Sequence, residues 1–342
     1  MSHIIAKQLP LVSIVMPIKN EADYIVESIK RINEQLYPKT KIEILIVDGG
    51  STDGTLNIVL QLLEQDERIR LYGDKGINCP QAMNIGIKKA RGQIVAKIDG
   101  HGYLNKEFIQ IAVKCLLKDV NLGCVGGQVI PLSRTNIEKS NSYARFSKFG
   151  VGAGIYTTRN TVHEIDTVQC GVYRKRDIVR AGMFDSNLQY GEDEEANYRL
   201  ALLGKKILYH PDMKYYYFIR PSFKGLLKQY FNYGVARAKV IKKHPHFFNF
   251  KHVIPSILVI FIILDILMLI FNKAFMPIRA TSIVIYTTFL LVASFFLCIK
   301  NSFLYIHYII LSLICLHFGY GFGLIKGIFV REKREIHNNM KR

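Results

Sequence analysis

The sequence predicts an α/β domain built on a mostly parallel sheet, followed by apolar helices of membrane-spanning length. Two observations point to the sheet. Short β-rich apolar runs alternate with stretches of helical spacing through the first hundred or so residues, and polar or acidic loops follow those runs. A third observation points to the membrane: from residue 253 to about 325 the chain is almost continuously apolar.

Each element has its own warrant. Residues 11–16 form a short apolar run closed by Pro17, the pattern of a buried strand. Residues 21–35 carry Ala22, Ile25, Val26, Ile29 and Ile32 at helical spacing. A second strand is predicted over 42–47 with Asp48 at its carboxyl end, a helix over 55–63, a shorter strand over 68–72, and a helix over 79–90 stopped by Gly92. A fourth strand is predicted over 93–98, and Asp99 follows it. Strands alternating with helices imply right-handed βαβ units and parallel pairing. Beyond Asp99 the pattern is mixed. It reads as a helix over 106–117, a strand over 124–130, an ambiguous stretch over 133–165, a strand over 168–173, and helices over 175–181 and 194–203.

Composition bounds the partners. The formal charge is +19, from 46 Lys and Arg against 27 Asp and Glu. No acidic residue lies between Asp212 and Asp265, where Lys224, Lys228, Arg237, Lys239 and Lys242 fall. A basic stretch directly before an apolar one is the signature of a cytoplasmic membrane flank. Nucleic acid is not expected, because no nucleic-acid-binding motif accompanies the charge. The six cysteines form no CxxC pair or zinc-type spacing, so they read as reduced thiols in a cytosolic compartment. The opening residues MSHIIAKQLP lack the apolar core of a signal peptide, so the globular part is expected to be cytoplasmic.

Three apolar segments, 253–271, 280–299 and 303–325, suit bilayer crossings of roughly 20 residues. Three crossings would leave the C-terminus outside, yet residues 326–342 hold six basic and two acidic residues, which favours the inside. The last segment, weakened by Gly319, Gly321 and Gly323, is the one the sequence offers as re-entrant or interfacial. Asp265 lies within the first, and an intramembrane carboxylate is a functional suspect.

In parallel α/β sheets, ligands bind outside the carboxyl ends of the strands. Residues 17–21, 48–55 and 99–101 all fall there. Asp99-Gly100-His101 reads as a site for a metal ion and a diphosphate, and Glu192-Asp193-Glu194-Glu195 reads as a catalytic base at a helix start. With Asp48 they suggest an enzyme that moves a sugar from a nucleotide. That chemistry must grip base and ribose, neutralise the diphosphate (usually with Mg²⁺ or Mn²⁺ and carboxylates), and supply a base for the acceptor hydroxyl. Each residue also has a plainer reading: Asp48 as a turn carboxylate, Asp53 as a helix cap, His101 as a polar loop residue, Asp193 as a first-turn acid. Repulsion within the run of four acids should raise some of their pKa values, which suits a base.

At these residues the chain resembles the inverting glycosyltransferase family 2, whose fold is the nucleotide-binding, Rossmann-like GT-A type. The resemblance runs from Val12-Ser-Ile-Val-Met-Pro17 with Asn20-Glu21, through Val47-Asp48-Gly-Gly-Ser-Thr-Asp53-Gly-Thr55, Asn84-Ile-Gly86, Ala90-Arg-Gly92 and Ile98-Asp99, to Gly191-Glu192-Asp193 and Gln229-Tyr-Phe-Asn-Tyr233. The stretches Asp166–Lys175, Gly182-Met-Phe184-Asp185 and Arg220-Pro-Ser resemble its succinoglycan-biosynthesis, ExoA-type branch. The resemblance implies a GT-A domain over 1–219, a basic interfacial segment over 220–252, a transmembrane region over 253–325 and a basic tail over 326–342.

It also implies roles. Pro17 and Glu21 border the nucleotide pocket, Asp48 binds the uracil edge, and Asp99 and His101 stand where the family has an Asp-x-Asp metal motif, with His in place of the second Asp. Asp193 matches the catalytic base, with Glu192 as the fallback. Gln229 and Tyr233 stand where processive relatives carry Gln-x-x-Arg-Trp and contact acceptor or product. The chain has Asn232 there and no tryptophan, which argues against a processive synthase. The segment also reads as an amphipathic interfacial helix with Phe223, Leu226, Leu227, Tyr230 and Phe231 on its apolar face.

The implied activity is transfer of a sugar, glucose by branch, from a UDP-sugar to a polyprenyl-diphosphate-linked saccharide at the inner (cytoplasmic) membrane. The alternatives are a polyprenyl- or dolichyl-phosphate sugar transferase and a catalytically silent nucleotide-binding membrane scaffold.

Overall fold

The computed structural model describes residues 9–151, 160–271 and 281–330. The N-terminal residues 1–8, residues 152–159 of the ambiguous stretch and residues 331–342 of the basic tail lie outside the described residues. The chain divides into two compact units, Met1–Pro221 and Ser222–Arg342.

The first unit is built on a curled sheet. Strands β1 (Val12–Ile18), β2 (Ile42–Asp48), β3 (Ile69–Gly73) and β4 (Ile94–Lys97) pair in parallel, in the order β3-β2-β1-β4. Every residue of β1, β2 and β4 is buried, as expected of strands covered on both faces. Val12, Ile14, Met16 and Ile18 face one core with helix α1 (Ile25–Asn33), while Val15 faces another with helix α3 (Cys79–Lys89). Helix α2 (Thr55–Gln65) joins β2 to β3. Gly86 of α3 lies so close to β1 that a Cβ there would meet Val15 Cγ1 at 2.2 Å, which accounts for the glycine after Asn84-Ile85. Arg91 and Gly92 are tied down at the opposite, amino end of the strands: Arg91 N donates to Glu43 Oε1 (2.6 Å) and Gly92 N to Ser13 Oγ (2.8 Å).

Beyond β4 the sheet becomes mixed. β8 (Val172–Arg174) pairs antiparallel with both β4 and β6 (Leu122–Leu132), and β9 (Lys206–Phe218) runs parallel to β6. Short strands β5 (Gly102–Leu104) and β7 (His163–Glu164) pair antiparallel with β9. Helices α4 (Phe108–Lys118), α5 (Asn136–Arg145), α6 (Lys175–Arg180) and α7 (Glu192–Leu202) complete the unit. The expected strand over 168–173 shrinks to β8, and the ambiguous stretch 133–165 supplies α5 and β7 among its described residues. The periodicity did not reveal β5 or β9. Pro211 interrupts β9, and a register shift against β6 falls at Gly127/Gln128, where the pairing moves from His210 to Lys214.

The second unit contains helices α8 (Phe223–Lys243), α9 (Ile254–Phe271), α10 (Thr281–Lys300) and α11 (Ile306–Phe329). By length and composition, Thr281–Lys300 and Phe303–Phe329 could cross a membrane, and the apolar stretch Ile254–Met268 is shorter. The expectation that glycines weaken the last segment is overturned. α11 is continuous, and its glycines are contact points. A Cβ on Gly319 would meet Leu227 O at 2.8 Å, on Gly323 Phe231 O at 2.0 Å, and on Gly327 Val235 O at 2.9 Å. Contacts stepping by four residues on both helices make a small-xxx-small ladder that runs α8 parallel to α11. Lys242 Nζ closes the ladder by donating to the carbonyls of Gly327 (2.9 Å) and Val330 (3.0 Å) at the α11 C-terminus. Asp265, the functional suspect of the first apolar segment, accepts from Ser282 N (2.9 Å) and Ser282 Oγ (2.5 Å), so it caps the start of α10.

Candidate active site

The loops after β1 and β2 are stitched together. Asn20 Oδ1 accepts from Thr52 N (2.8 Å), Asn20 N donates to Ser51 Oγ (2.9 Å), and Glu21 N donates to Thr55 Oγ1 (2.8 Å). Asp53 accepts from Thr55 N (3.1 Å) at the start of α2 and from Ala22 N (3.2 Å), so it is a cap and an inter-loop tether at once. Asp48 accepts from the backbone N–H groups of Gly50 (3.0 Å) and Ser51 (3.1 Å) and from Ser51 Oγ (2.5 Å). This is the geometry of the turn carboxylate. A carboxylate has about four lone-pair sites, so it retains capacity for a nucleotide donor. Pro17 is buried in β1 opposite Val47.

Asp99 follows β4 and accepts from Tyr215 OH at 3.2 Å. His101 Nδ1 lies 2.8 Å from Glu21 Oε1, and its ring packs against Tyr217 at a centroid distance of 5.5 Å. Burial opposes charge on the imidazole, but the Glu21 hydrogen bond and the charges of Glu21, Tyr217 and Asp99 prevail and push its pKa up to about 9. Burial likewise raises the Tyr217 phenol, but Arg145, Arg220 and His101 outweigh it and bring it down to about 8. The Glu21 contact thus favours the protonated imidazole while no metal ion is bound.

The described residues contain no cluster of three or more His, Cys, Asp or Glu side chains able to hold a metal. A protonated imidazole has no lone pair to offer one. Of the two motif residues, Asp99 would be the one to hold a divalent ion, through its carboxylate oxygens, the donor type that Mg²⁺ prefers. His101 joins as a ligand only on losing its proton.

Asp193 and Glu192 open α7, and both meet a partner that the motifs did not announce. Lys97, the last residue of β4, is 2% exposed and places Nζ 2.8 Å from Glu192 Oε1 and 2.7 Å from Asp193 Oδ2. Burial raises the Asp193 pKa, Lys97 pulls it back, and Glu192 and Asp99 add to the rise, which leaves it at about 7. The expected repulsion within the run of four acids contributes through Glu192 but is not the main cause. Only Glu192 of that run is among the causes, and burial is the largest. Glu195 turns away into a buried ion pair with Arg199 (2.7 Å).

The loop leading to Asp193 is held from both sides. Asn84 of α3 donates Nδ2 to Phe184 O (2.7 Å) and accepts from Phe184 N (2.9 Å), while Asn78 Nδ2 donates to Ser186 O (2.8 Å). Arg199 reaches back to the carbonyls of Ala181 and Met183. The fold thus collects Pro17, Glu21, Asp48, Asp99, His101, Glu192 and Asp193 in the first unit. Gln229 and Tyr233 belong to the second unit, where Gln229 Nε2 donates to Tyr233 OH (2.9 Å) within α8. Sequence reading missed Lys97, Arg145, Tyr215 and Tyr217. A lone lysine in an otherwise apolar run was the one available signal.

Residues 13–179 match the model of the glycosyl transferase family 2. The chain is 30% identical over 251 residues to a dolichyl N-acetyl-α-D-glucosaminyl phosphate 3-β-D-2,3-diacetamido-2,3-dideoxy-β-D-glucuronosyltransferase of Methanococcus voltae, covering 71% of this chain and 77% of the relative. It is 28% identical over 245 residues to the succinoglycan biosynthesis protein ExoA of Rhizobium meliloti (strain 1021), covering 71% and 73%. A mannosyltransferase of Pyrobaculum calidifontis, solved with GDP-mannose and Mn²⁺, superposes with a TM-score of 0.63 at 17% identity over 96% of this chain and 89% of that one. That likeness establishes the GT-A fold. The reading as a catalytically silent scaffold falls with these relatives: the chain is an enzyme that belongs to glycosyltransferase family 2.

Proposed function

We propose that this chain is a membrane-associated inverting glycosyltransferase that moves a sugar, glucose in the branch it resembles, from a UDP-sugar to a polyprenyl-diphosphate-linked saccharide. The observation that carries the reading is Asp193: a half-buried carboxylate at a helix start, 2.7 Å from the buried Lys97 Nζ, with its pKa raised to about 7. A base poised near the working pH combines a useful fraction of the unprotonated form with adequate driving force. The acceptor hydroxyl gives its proton to Asp193, its oxygen bonds to the anomeric carbon, and the bond to UDP breaks in line, so an α-linked donor yields a β-linkage. Pro17, Glu21 and Asp48 hold the nucleoside, and Asp99 faces the diphosphate. A divalent ion, Mn²⁺ or Mg²⁺, supplies charge neutralisation for the departing diphosphate when bound. Glu192 keeps the ammonium of Lys97 shared between two carboxylates, and Gln229 and Tyr233 serve the acceptor.

The lipid-linked acceptor is supported by the dolichyl phosphate named for the Methanococcus relative, and polysaccharide synthesis by the succinoglycan relative. The apolar helices and the basic stretch before them fit an inner-membrane location with the first unit in the cytoplasm. Transfer to a polyprenyl phosphate from a GDP- or UDP-sugar is the second reading, favoured by the GDP-mannose of the superposed enzyme.

The test is UDP or GDP release by the purified protein in detergent, across a panel of UDP-sugars and GDP-mannose with Mn²⁺ or Mg²⁺. Release from one UDP-sugar, abolished by a chelator and stimulated by a lipid-linked saccharide, is expected. Release that needs only a polyprenyl phosphate would move the assignment to the second reading, and release unaffected by the chelator would remove the metal.

A further inference from the structure

The second unit carries a groove that the transfer reaction does not by itself call for. Between α8 and α11 lies a cavity of about 570 Å³ with Leu227, Phe231, Phe322 and Ile325 as its apolar walls and Gly319 in its lining. Lys224, Lys228 and Lys326 also line it, and all three are exposed. Gly319, whose missing Cβ lets α11 come close to Leu227 O of α8, belongs to this lining. Leu227 and Phe322 are each 41% exposed, so the walls are open to an apolar occupant.

The charge is equally one-sided. Among the described residues of this unit Asp265 is the one acid, and it is taken up by Ser282. Lys224 and Lys228 stand one turn apart on α8, and Lys326 lies over the Phe231 ring at 5.3 Å. An apolar groove bordered by ammonium groups is complementary to an amphiphile with a concentrated anionic head.

We infer that this groove binds the isoprenoid (di)phosphate end of a polyprenyl-linked lipid, with the chain along Leu227, Phe231, Phe322 and Ile325 and the phosphate among Lys224, Lys228 and Lys326. The inference rests on the proposed lipid-linked acceptor and adds the place where its carrier is held. A terminal phosphate or diphosphate carries more charge than the single negative charge of a phosphodiester lipid, so three lysines favour it over bulk anionic phospholipid.

The test uses the full chain in neutral-lipid nanodiscs and native mass spectrometry with a long-chain polyprenyl monophosphate. The matching polyprenol and phosphatidylglycerol serve as comparison lipids. Wild type is expected to retain the polyprenyl phosphate in preference to both. The triple variant Lys224→Gln/Lys228→Gln/Lys326→Gln should lose affinity by roughly 100-fold, at about fivefold per charge. Leu227→Trp, which fills the groove and keeps the charges, should lose it as well. UDP binding, read on the same samples, should stay unchanged in every variant and so reports an intact first unit.

Equal retention by the triple variant, or polyprenol or phosphatidylglycerol held as tightly as the phosphate, would overturn the site. Transfer to a lipid-linked saccharide with the same KM in wild type and triple variant would also overturn it while leaving the proposed function standing. Lipid binding with the expected variant pattern, but no sugar transfer to such an acceptor, would sink the proposed function and leave the groove.

Discussion

Asp193→Asn is expected to lower turnover roughly 10²–10⁴-fold while UDP binds as in wild type. The substitution keeps shape and volume but removes the only atom pair that could take the acceptor proton at that place, and Glu192 still holds Lys97 at 2.8 Å. The wild-type profile carries a second signature. Asp193 must be unprotonated to act, and its pKa stands at about 7 rather than near that of an ordinary aspartate. The kcat/KM of the wild type should therefore climb as pH rises through about 7, and the variant should lack that limb. Nucleotide release across the pH range, with calorimetric UDP binding as the control, reads both. Turnover in Asp193→Asn equal to wild type would remove Asp193 as the base.

Lys97→Met should produce the second large effect, through the same carboxylate. Lys97 is the group that holds the Asp193 pKa down against burial, Glu192 and Asp99. Without it the pKa rises, so the activity limb moves to higher pH by a unit or more and activity at neutral pH falls about tenfold. Stability should also suffer, by about 3–5 kcal/mol if both carboxylates stay charged and less if Asp193 takes up a proton. Lys97→Arg, which keeps the charge, should restore the limb toward its wild-type position. A methionine variant that binds UDP normally and whose limb does not move would show that Lys97 is a packing residue alone.

The parallel half of the sheet was legible because its strands are buried on both faces and its helices are amphipathic, so period and composition agree with the fold. Pro17, Asp48 and Asp99 could be assigned to strand ends for that reason. β9 was hidden by Pro211 and by the charges Lys206, Asp212 and Lys214, whose side of the strand the pairing partners alone determine. Losing β9 meant losing Tyr215 and Tyr217, the residues that face Asp99 and His101. Lys97 was visible as a letter but not as a function, since its meaning depends on α7, nearly a hundred residues away. The glycines of the last apolar segment were read through intrinsic helix propensity. Tertiary packing overrides that propensity, and the stepping of Gly319, Gly323 and Gly327 by four was the available clue.

That ladder also bears on the parity of membrane crossings. α11 is fastened in parallel to a helix that carries Lys224, Lys228, Arg237, Lys239, Lys242 and Lys243. Each such charge at the centre of a bilayer costs about 2.5–3.5 kcal/mol, so in the proposed membrane setting a pair locked along its length is expected at the surface rather than threading the hydrocarbon. Burial agrees, since 56% of the apolar window ending in α11 is buried against 28% for α10. If the proposed membrane location holds, α10 and the shorter apolar α9 are then expected to enter the bilayer as a pair that returns the chain to the side from which it entered. An impermeant thiol reagent applied to sealed vesicles should find cysteines introduced at the two ends of the polypeptide on one and the same face. Labelling from opposite faces would mean that α8 and α11 part company in the membrane.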